Sequence, residues 1–217
     1  MKIKWLGHAC FLITSAIGLK ILTDPYEAGF HSIIGYGPVK ESPDIVTISH
    51  QHGDHNYTGD LLGNPQIVQV AGRQVVGAIE FVGILCYHDR VSGRERGSNT
   101  IFCFTVDGIR VCHCGDLGHP LDRATIQSLG RVNVLLLPTG GPPTTLELTE
   151  AVTLWQKLKP NVIIPMHFRN EKCSFPKYSI DEMLRVEPRA VRAAASEAEF
   201  TAGELPRSQV LILEPAL

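Results

Sequence analysis

Strong charge of either sign is missing from this chain. Of its 217 residues 19% are charged, and 20 basic against 22 acidic side chains leave a formal net charge of -2. Without a lysine-rich run to follow phosphates, a nucleic-acid partner is not expected, and nothing draws the chain electrostatically to a membrane surface. No apolar run reaches the roughly 20 residues of a bilayer span. Lys2 and Lys4 ahead of the fairly apolar stretch 10–19 imitate a signal peptide only faintly. No small-residue cleavage site follows, and the stretch runs straight into strand-like Leu19-Lys20-Ile21-Leu22. The six cysteines, at 10, 86, 103, 112, 114 and 173, make no C-x-x-C pair and no regular framework. Several lie in apolar strand-like runs, where a free cysteine packs as a small hydrophobe, so a reducing cytoplasm is the expected home. No short-period repeat and no low-complexity tract interrupts the chain. At 44% hydrophobic residues, one compact domain over 1–217 is expected.

What is there begins with strands. Residues 1–7 read as an edge strand, and 10–14 and 19–23 as a pair closed by a turn at Ala16-Ile17-Gly18 and stopped at Asp24-Pro25. A Gly-, Pro- and Ser-rich loop over 26–43 leads to the apolar run Asp44-Ile45-Val46-Thr47-Ile48, which has the look of a buried strand. A short helix is expected over 57–62, then strands at 66–70 and 78–86. Residues 99–106 and 109–114 form a hairpin over Asp107-Gly108, a strong two-residue turn signal. Helical spacing marks 121–129 and 149–158, with strands at 132–137, 162–165 and 209–213 and a last helical region within 179–198, broken near Pro188. Strands in two successions, each followed by helices, imply an α/β fold with two sheets face to face and helices outside.

On the turn leaving the 44–48 strand stand His50, His52, Asp54 and His55. Neutral imidazole and carboxylate suit zinc, and also manganese or iron, and no thiolate lies among them. His50 and His52, two apart on extended chain, project the same way and can share one ion. Asp54 and His55 follow where the chain turns, and can aim at a second ion beside the first. Further ligand candidates fall at later strand ends, His88, Asp116 and His167, where open α/β sheets place their sites. His113 competes with His88. On a strand Cys112 and Cys114 share one face and His113 takes the other, while Gly115 leaves the direction of Asp116 open.

The H-x-H-x-D-H run resembles the signature of the metallo-β-lactamase superfamily. The resemblance extends through His88, through Asp116 in a G-D-x-G context, and through His167 in P-M-H. The Gly-His at His8, the T-D-P at Asp24 and the R-G-x-N over 96–99 are similar to the branch of ascorbate-phosphate-lactonase-like and other metal-dependent hydrolases. It implies an αββα four-layer sandwich and a binuclear centre. His50, His52 and His88 would hold one ion, Asp54, His55 and His167 the other, with Asp116 bridging. Zinc is the expected metal, manganese and iron the alternatives. His8 and Asp24 would stand just behind the ligands, with Asp24 orienting a histidine or simply capping the turn before Pro25, and His113 would be packed or supporting. His52 replaces the glutamate of di-iron relatives, and Asp116 the cysteine of zinc β-lactamases, so neither oxygen reduction nor antibiotic hydrolysis is expected.

The expected chemistry is hydrolysis, in which a hydroxide bridging two ions attacks a small, anionic ester, lactone or phosphodiester, with Asp54 and Asp116 holding and orienting it. Arg90, Arg94, Arg96 and Asn99 are candidates to hold the substrate, unless their loop is simply a solvated charged one. The loops at 26–43, 89–98, 139–147 and 169–178 are the expected lids. Two other readings stand beside this one: a regulatory protein that binds ligand at the metal site without turnover, and a metal-dependent nuclease. A homo-oligomer is compatible with the sequence.

Overall fold

The alternation of large apolar residues along each strand decides which faces meet. In the computed structural model, which describes residues 1–217, fourteen strands and three α-helices follow one another. The strands are β1 Lys2–Gly7, β2 Cys10–Thr14, β3 Lys20–Thr23, β4 Ile45–Thr47, β5 Gln66–Val68, β6 Gly72–Val76, β7 Ile79–Tyr87, β8 Ser98–Val106 and β9 Ile109–His113. After helix α1 (Arg123–Leu129) come β10 Val134–Pro138, α2 Leu148–Leu158, β11 Val162–Met166, α3 Ile180–Val186, β12 Val191–Arg192, β13 Glu197–Glu199 and β14 Gln209–Ile212.

They form two sheets, ordered β13-β1-β2-β3-β4-β5 and β12-β14-β11-β10-β9-β8-β7-β6. Both are mixed: β3, β4 and β5 run parallel beside the antiparallel β1–β2–β3, and β9, β10, β11 and β14 run parallel beside an antiparallel β6–β9 meander. Between the sheets, Ile3, Trp5, Phe11, Ile13, Ile21 and Ile45 pack against Phe81, Phe102, Phe104, Val111, Leu136 and Ile164. Their sequence neighbours point outward, as a period of two requires. The outer face of the second sheet, with Cys103, Cys112, Leu135 and Ile163, is covered by Leu129 of α1, Leu154 and Trp155 of α2 and Met183 of α3. The α/β sandwich is therefore the expected one. Helices, however, lie over the second sheet alone. Leu6, Leu12, Leu22 and Val46 on the first sheet are covered by Tyr26, Ile34, Tyr36 and Val39 from the loop after β3.

Four local expectations are corrected. Residues 57–62 hold a turn at 59–60, not a helix: glycines at 59 and 63 weaken helix propensity, and Leu62 N–H donates to the distant Glu41 carbonyl instead of to Thr58 four residues back. The 179–198 helix stops after Val186, short of Pro188, and the alanine-rich remainder is drawn into the sheets as β12 and β13. Tertiary pairing overrides propensity there. Because β13 pairs with it, β1 is not an edge strand. The strand β6 was not expected at all, its five residues being half-exposed or exposed with no clean alternation.

Candidate metal centre

Every strand end named above opens on one edge of the sandwich. His8 sits in the β1–β2 turn, Asp24 follows β3, His50 to His55 follow β4, His88 follows β7, Asp116 follows β9 and His167 follows β11. Parallel register of β3 with β4 and of β9, β10 and β11 brings these ends level. Three of the turns demand a left-handed backbone from residues with a Cβ: φ is +52° at His8, +38° at Asp24 and +50° at His167. Such conformations cost about 1–3 kcal/mol each and gather at functional sites.

Two groups of ligand atoms face the cleft, His50–His52–His88 and Asp54–His55–His167 with His8 joining the second, and a third, Asp24–His50–His55, overlaps both from behind. Between them stands Asp116, whose Oδ2 is 3.3 Å from His88 Nε2, 3.3 Å from His55 Nε2 and 3.1 Å from His167 Nε2. It can aim this way because Gly115 takes a left-handed φ of +52°. A side chain at Gly115 would overlap Asn99 and Ser49. Cys112 and Cys114 stay on the outer face, packed with Cys86 and Cys103. All six cysteines are free and buried.

Asp24 ties the two groups together. Its Oδ2 accepts from His55 Nδ1 at 2.9 Å and from Ser49 Oγ at 2.5 Å, and its Oδ1 accepts the Ser49 N–H at 2.8 Å. With the Ser49 hydroxyl proton given to Asp24, His50 Nδ1–H donates to Ser49 Oγ at 2.9 Å. One buried carboxylate thus fixes the ring orientation of a histidine in each group, leaving both Nε2 atoms aimed inward. Ser49 was not a sequence candidate. A hydroxyl immediately before His50 was the available signal, but its partner lies 25 residues away. His113 takes no part in either group. Its Nε2 donates to the Ala9 carbonyl at 2.9 Å and its Nδ1 accepts the Gly115 N–H at 3.2 Å, so both nitrogens are spent bracing the sandwich and the Asp116 turn.

The donor set fits divalent cations. His50 Nε2, His88 Nδ1, both nitrogens of His167 and Asp116 Oδ1 are buried without a hydrogen-bond partner. Each such group costs about 1–3 kcal/mol if left unsatisfied, and elsewhere in the chain Thr47 alone carries one. Burial holds the His50 and His88 imidazoles below their ordinary pKa, hence neutral and able to donate lone pairs. Burial would raise the Asp116 carboxyl, but His167 and His55 beside it hold it well below the usual carboxylate range. Burial would likewise lower His55, but Asp116 and Asp54 outweigh it and hold the imidazole well above 6.5.

A cleft of about 330 Å³ opens onto these groups, walled by Phe30, Ile33 and Phe175 on its apolar side and by Thr144 and Arg96 elsewhere. The 26–43 loop supplies two of these residues and each of the other three expected lid loops supplies one. His31 is exposed on the rim, and His119 accepts the Tyr87 N–H. The loop bearing Arg96 is built around the Asp89 carboxylate, which accepts N–H donors from Val91, Gly93, Glu95 and Arg96. Asp89 is thus a clasp and has no lone pair to spare for substrate. Three of the four substrate candidates have partners away from the cleft lining. Arg90 pairs with Glu150, Arg94 bonds its own loop at the Val91 carbonyl, and Asn99 is fully buried. Asn99 Nδ2 donates to Cys86 Sγ and the Cys114 carbonyl, and its Oδ1 accepts the Asp116 N–H at 3.0 Å, so it holds the Asp116 turn.

Two mixed sheets with a histidine–aspartate cluster along one edge are the architecture of metallo-β-lactamase-type proteins. The β-lactamase superfamily domain matches residues 2–167. A UPF0173 metal-dependent hydrolase of Archaeoglobus fulgidus is 31% identical over 199 residues, 77% of this chain and 83% of that protein. Another, from Methanospirillum hungatei, is 28% identical over 241 residues, covering 100% of this chain and 97% of its own. The crystal structure of a Thermotoga maritima protein, named for Zn-dependent hydrolysis in the metallo-β-lactamase superfamily, superposes with a TM-score of 0.80 at 31% identity, over 98% of this chain and 99% of that one. An isothiocyanate hydrolase from Delia radicum gut bacteria shares the fold alone, with a TM-score of 0.69 at 18% identity over 93% of this chain and 100% of that one. The chain belongs to the β-lactamase superfamily and, within it, to the UPF0173 metal-dependent hydrolases.

Proposed function

We propose that this protein hydrolyses a small, anionic ester, lactone or phosphodiester at a binuclear metal centre. Zinc is the first choice of ion, with manganese or iron able to fill the same donors. His50, His52 and His88 would hold one ion, Asp54, His55 and His167 the other, and Asp116 would be shared. The observation that carries this is the place of Asp116 Oδ2, within 3.3 Å of histidine nitrogens from both groups. Ions in such a pair lower the pKa of water towards neutrality and polarise a carbonyl or phosphoryl oxygen.

The chain's own residues supply the rest. Asp54, 9% exposed at the cleft floor, and Asp116 accept hydrogen bonds from the attacking water and fix its direction. Arg96 offers a fork to a carboxylate or phosphate at the mouth. Phe30, Ile33 and Phe175 keep bulk water off the opposite wall. A cleft of about 330 Å³ is at the small end of ligand sites. Arg96 is its one cation, which favours a small substrate over a polymer tracked by its phosphates. The free cysteines support a reducing cytoplasm, and no helix is long and apolar enough to cross a membrane.

Elemental analysis of untagged protein tests the centre directly. About two equivalents of metal per chain are expected, falling in Asp116→Ala, together with metal-dependent turnover on a panel of lactones and phosphodiesters. Full turnover by metal-free protein would overturn the reading. Bound metal with no turnover across the panel would move the protein to the non-catalytic, ligand-binding reading.

A further inference from the structure

His8 is placed more closely than an orienting residue needs to be. Its backbone is held left-handed at φ +52°. Its carbonyl is pinned from two sides, by Trp5 Nε1–H at 3.0 Å and by His167 N–H at 3.2 Å. That clamp drives a 1%-exposed ring into the second group of ligand atoms. There His8 Nε2 lies 3.1 Å from His55 Nε2 and 3.3 Å from Asp54 Oδ2, and its ring centroid is 4.2 Å from that of His167.

These separations match those among the ligand atoms themselves, such as 3.3 Å from His55 Nε2 to Asp116 Oδ2. Four or five donors sharing one ion at about 2.0–2.1 Å stand roughly 2.9–3.6 Å apart. A residue that merely oriented Asp54 would donate to it at about 2.7–2.9 Å. His8 is farther from that oxygen and nearer to another nitrogen. His55 donates its Nδ1–H to Asp24, so a cation at the site would take the place of the His55 Nε2 proton, directly beside His8 Nε2. On the far side of the His8 ring, Nδ1 faces Cys173 Sγ at 3.8 Å, a soft and buried neighbour that accommodates an N–H there. That tautomer leaves Nε2 free to join the others.

We propose that His8 is a direct metal ligand, its Nε2 completing the set of Asp54, His55 and His167 around the second ion. This rests on the binuclear reading above. With Asp116 shared, the second ion is then enclosed by buried protein donors. The first has His50, the half-buried His52 and His88, and keeps room for water and substrate.

The test is nitrogen-15 NMR of histidine-labelled protein loaded with cadmium-113. His8→Asn assigns the His8 signals, since asparagine tolerates a left-handed backbone. A scalar coupling from His8 Nε2 to the same cadmium that couples to His55 and His167, with the His8 proton on Nδ1, is the expected result. A His8 Nε2 that keeps its proton and shows no coupling, while the other five histidines couple, overturns the inference and leaves the centre standing. Protein that takes up no cadmium brings down both. In cadmium titrations against a competing chelator, His8→Asn should weaken one equivalent by about 100-fold or more, above the range for outer partners, and leave the other unchanged. Equal binding of both equivalents by a folded His8→Asn protein would also overturn it.

Discussion

The two groups of ligand atoms differ in how they are built. His50, His52 and His88 form an open group: His52 is half-buried, and one hydrogen bond, through Ser49, orients the set from behind. Asp54, His55 and His167 form a closed one. Each is buried, His167 stands on a left-handed backbone, and Asp24 and Asp116 crowd the His55 ring from either side. Both groups reach the cleft, the open one through His52 and His88 and the closed one through Asp54 and His167, while His55 lies fully buried behind them. In the proposed centre these would serve a firmly held ion and an accessible one, and the single loop over 50–55 contributes to both.

The comparison breaks most completely at Asp116. Asp116→Ala removes the carboxylate that both groups share, so metal content should fall below one equivalent and turnover by more than about 100-fold, beyond the loss seen for outer partners. A variant that keeps two equivalents would show that the groups load independently. Asp24→Asn comes next. It weakens the acceptor used by Ser49 and His55 at once, and affinity for both equivalents should drop about 10- to 100-fold in a chelator competition. Ser49→Ala sharpens the contrast, because it frees only the His50 ring. About a 10-fold loss in one equivalent, with the other intact, is expected. Equal losses in both would mean that Asp24 acts through the backbone.

At the mouth, Arg96→Ala should raise KM about 10-fold on an anionic substrate and leave kcat and metal content alone. A neutral analogue should not notice the change. The smallest effect is in protons. In metal-free protein His55 is held charged by its carboxylate neighbours, whereas His50 and His88 are neutral. Metal binding near pH 7 should therefore release a proton, read by calorimetry in buffers of different ionisation enthalpy. The sign for folding is the reverse. A raised histidine contributes stability below its unfolded pKa of about 6.5 and loses it as pH rises through the folded value. Proton uptake on binding would show that His55 is neutral.

Much of this was legible because it was local. The H-x-H-x-D-H run lies within six residues, and alternation along β9 separated His113 from the two cysteines. Gly115 was opaque for a physical reason: a left-handed residue inverts the parity on which strand reasoning depends, and Asp116 points where it does because of it. The Ser49–Asp24 link joins different strand ends, and no periodicity connects them. For Arg90, Arg94 and Asn99 the sequence shows charge and polarity but not direction, and the structure bonds them away from the cleft. That loop is wound about Asp89, which leaves Arg96 beside the cleft while Arg90 and Arg94 are bonded elsewhere. The helix expected beyond Pro188 failed because pairing with strands far away in sequence outweighed the local preference for helix.

The pairing of β1 with β13 has a consequence in time. Lys2 lies opposite Glu199, so β1 completes its pairing only after a strand far later in the chain has been made. Every proposed ligand has been synthesised once His167 is made, some thirty residues before that edge can close. In the proposed centre all the ligands would therefore be present before the first sheet is complete, and an ion bound then would find that sheet still lacking its outer strand.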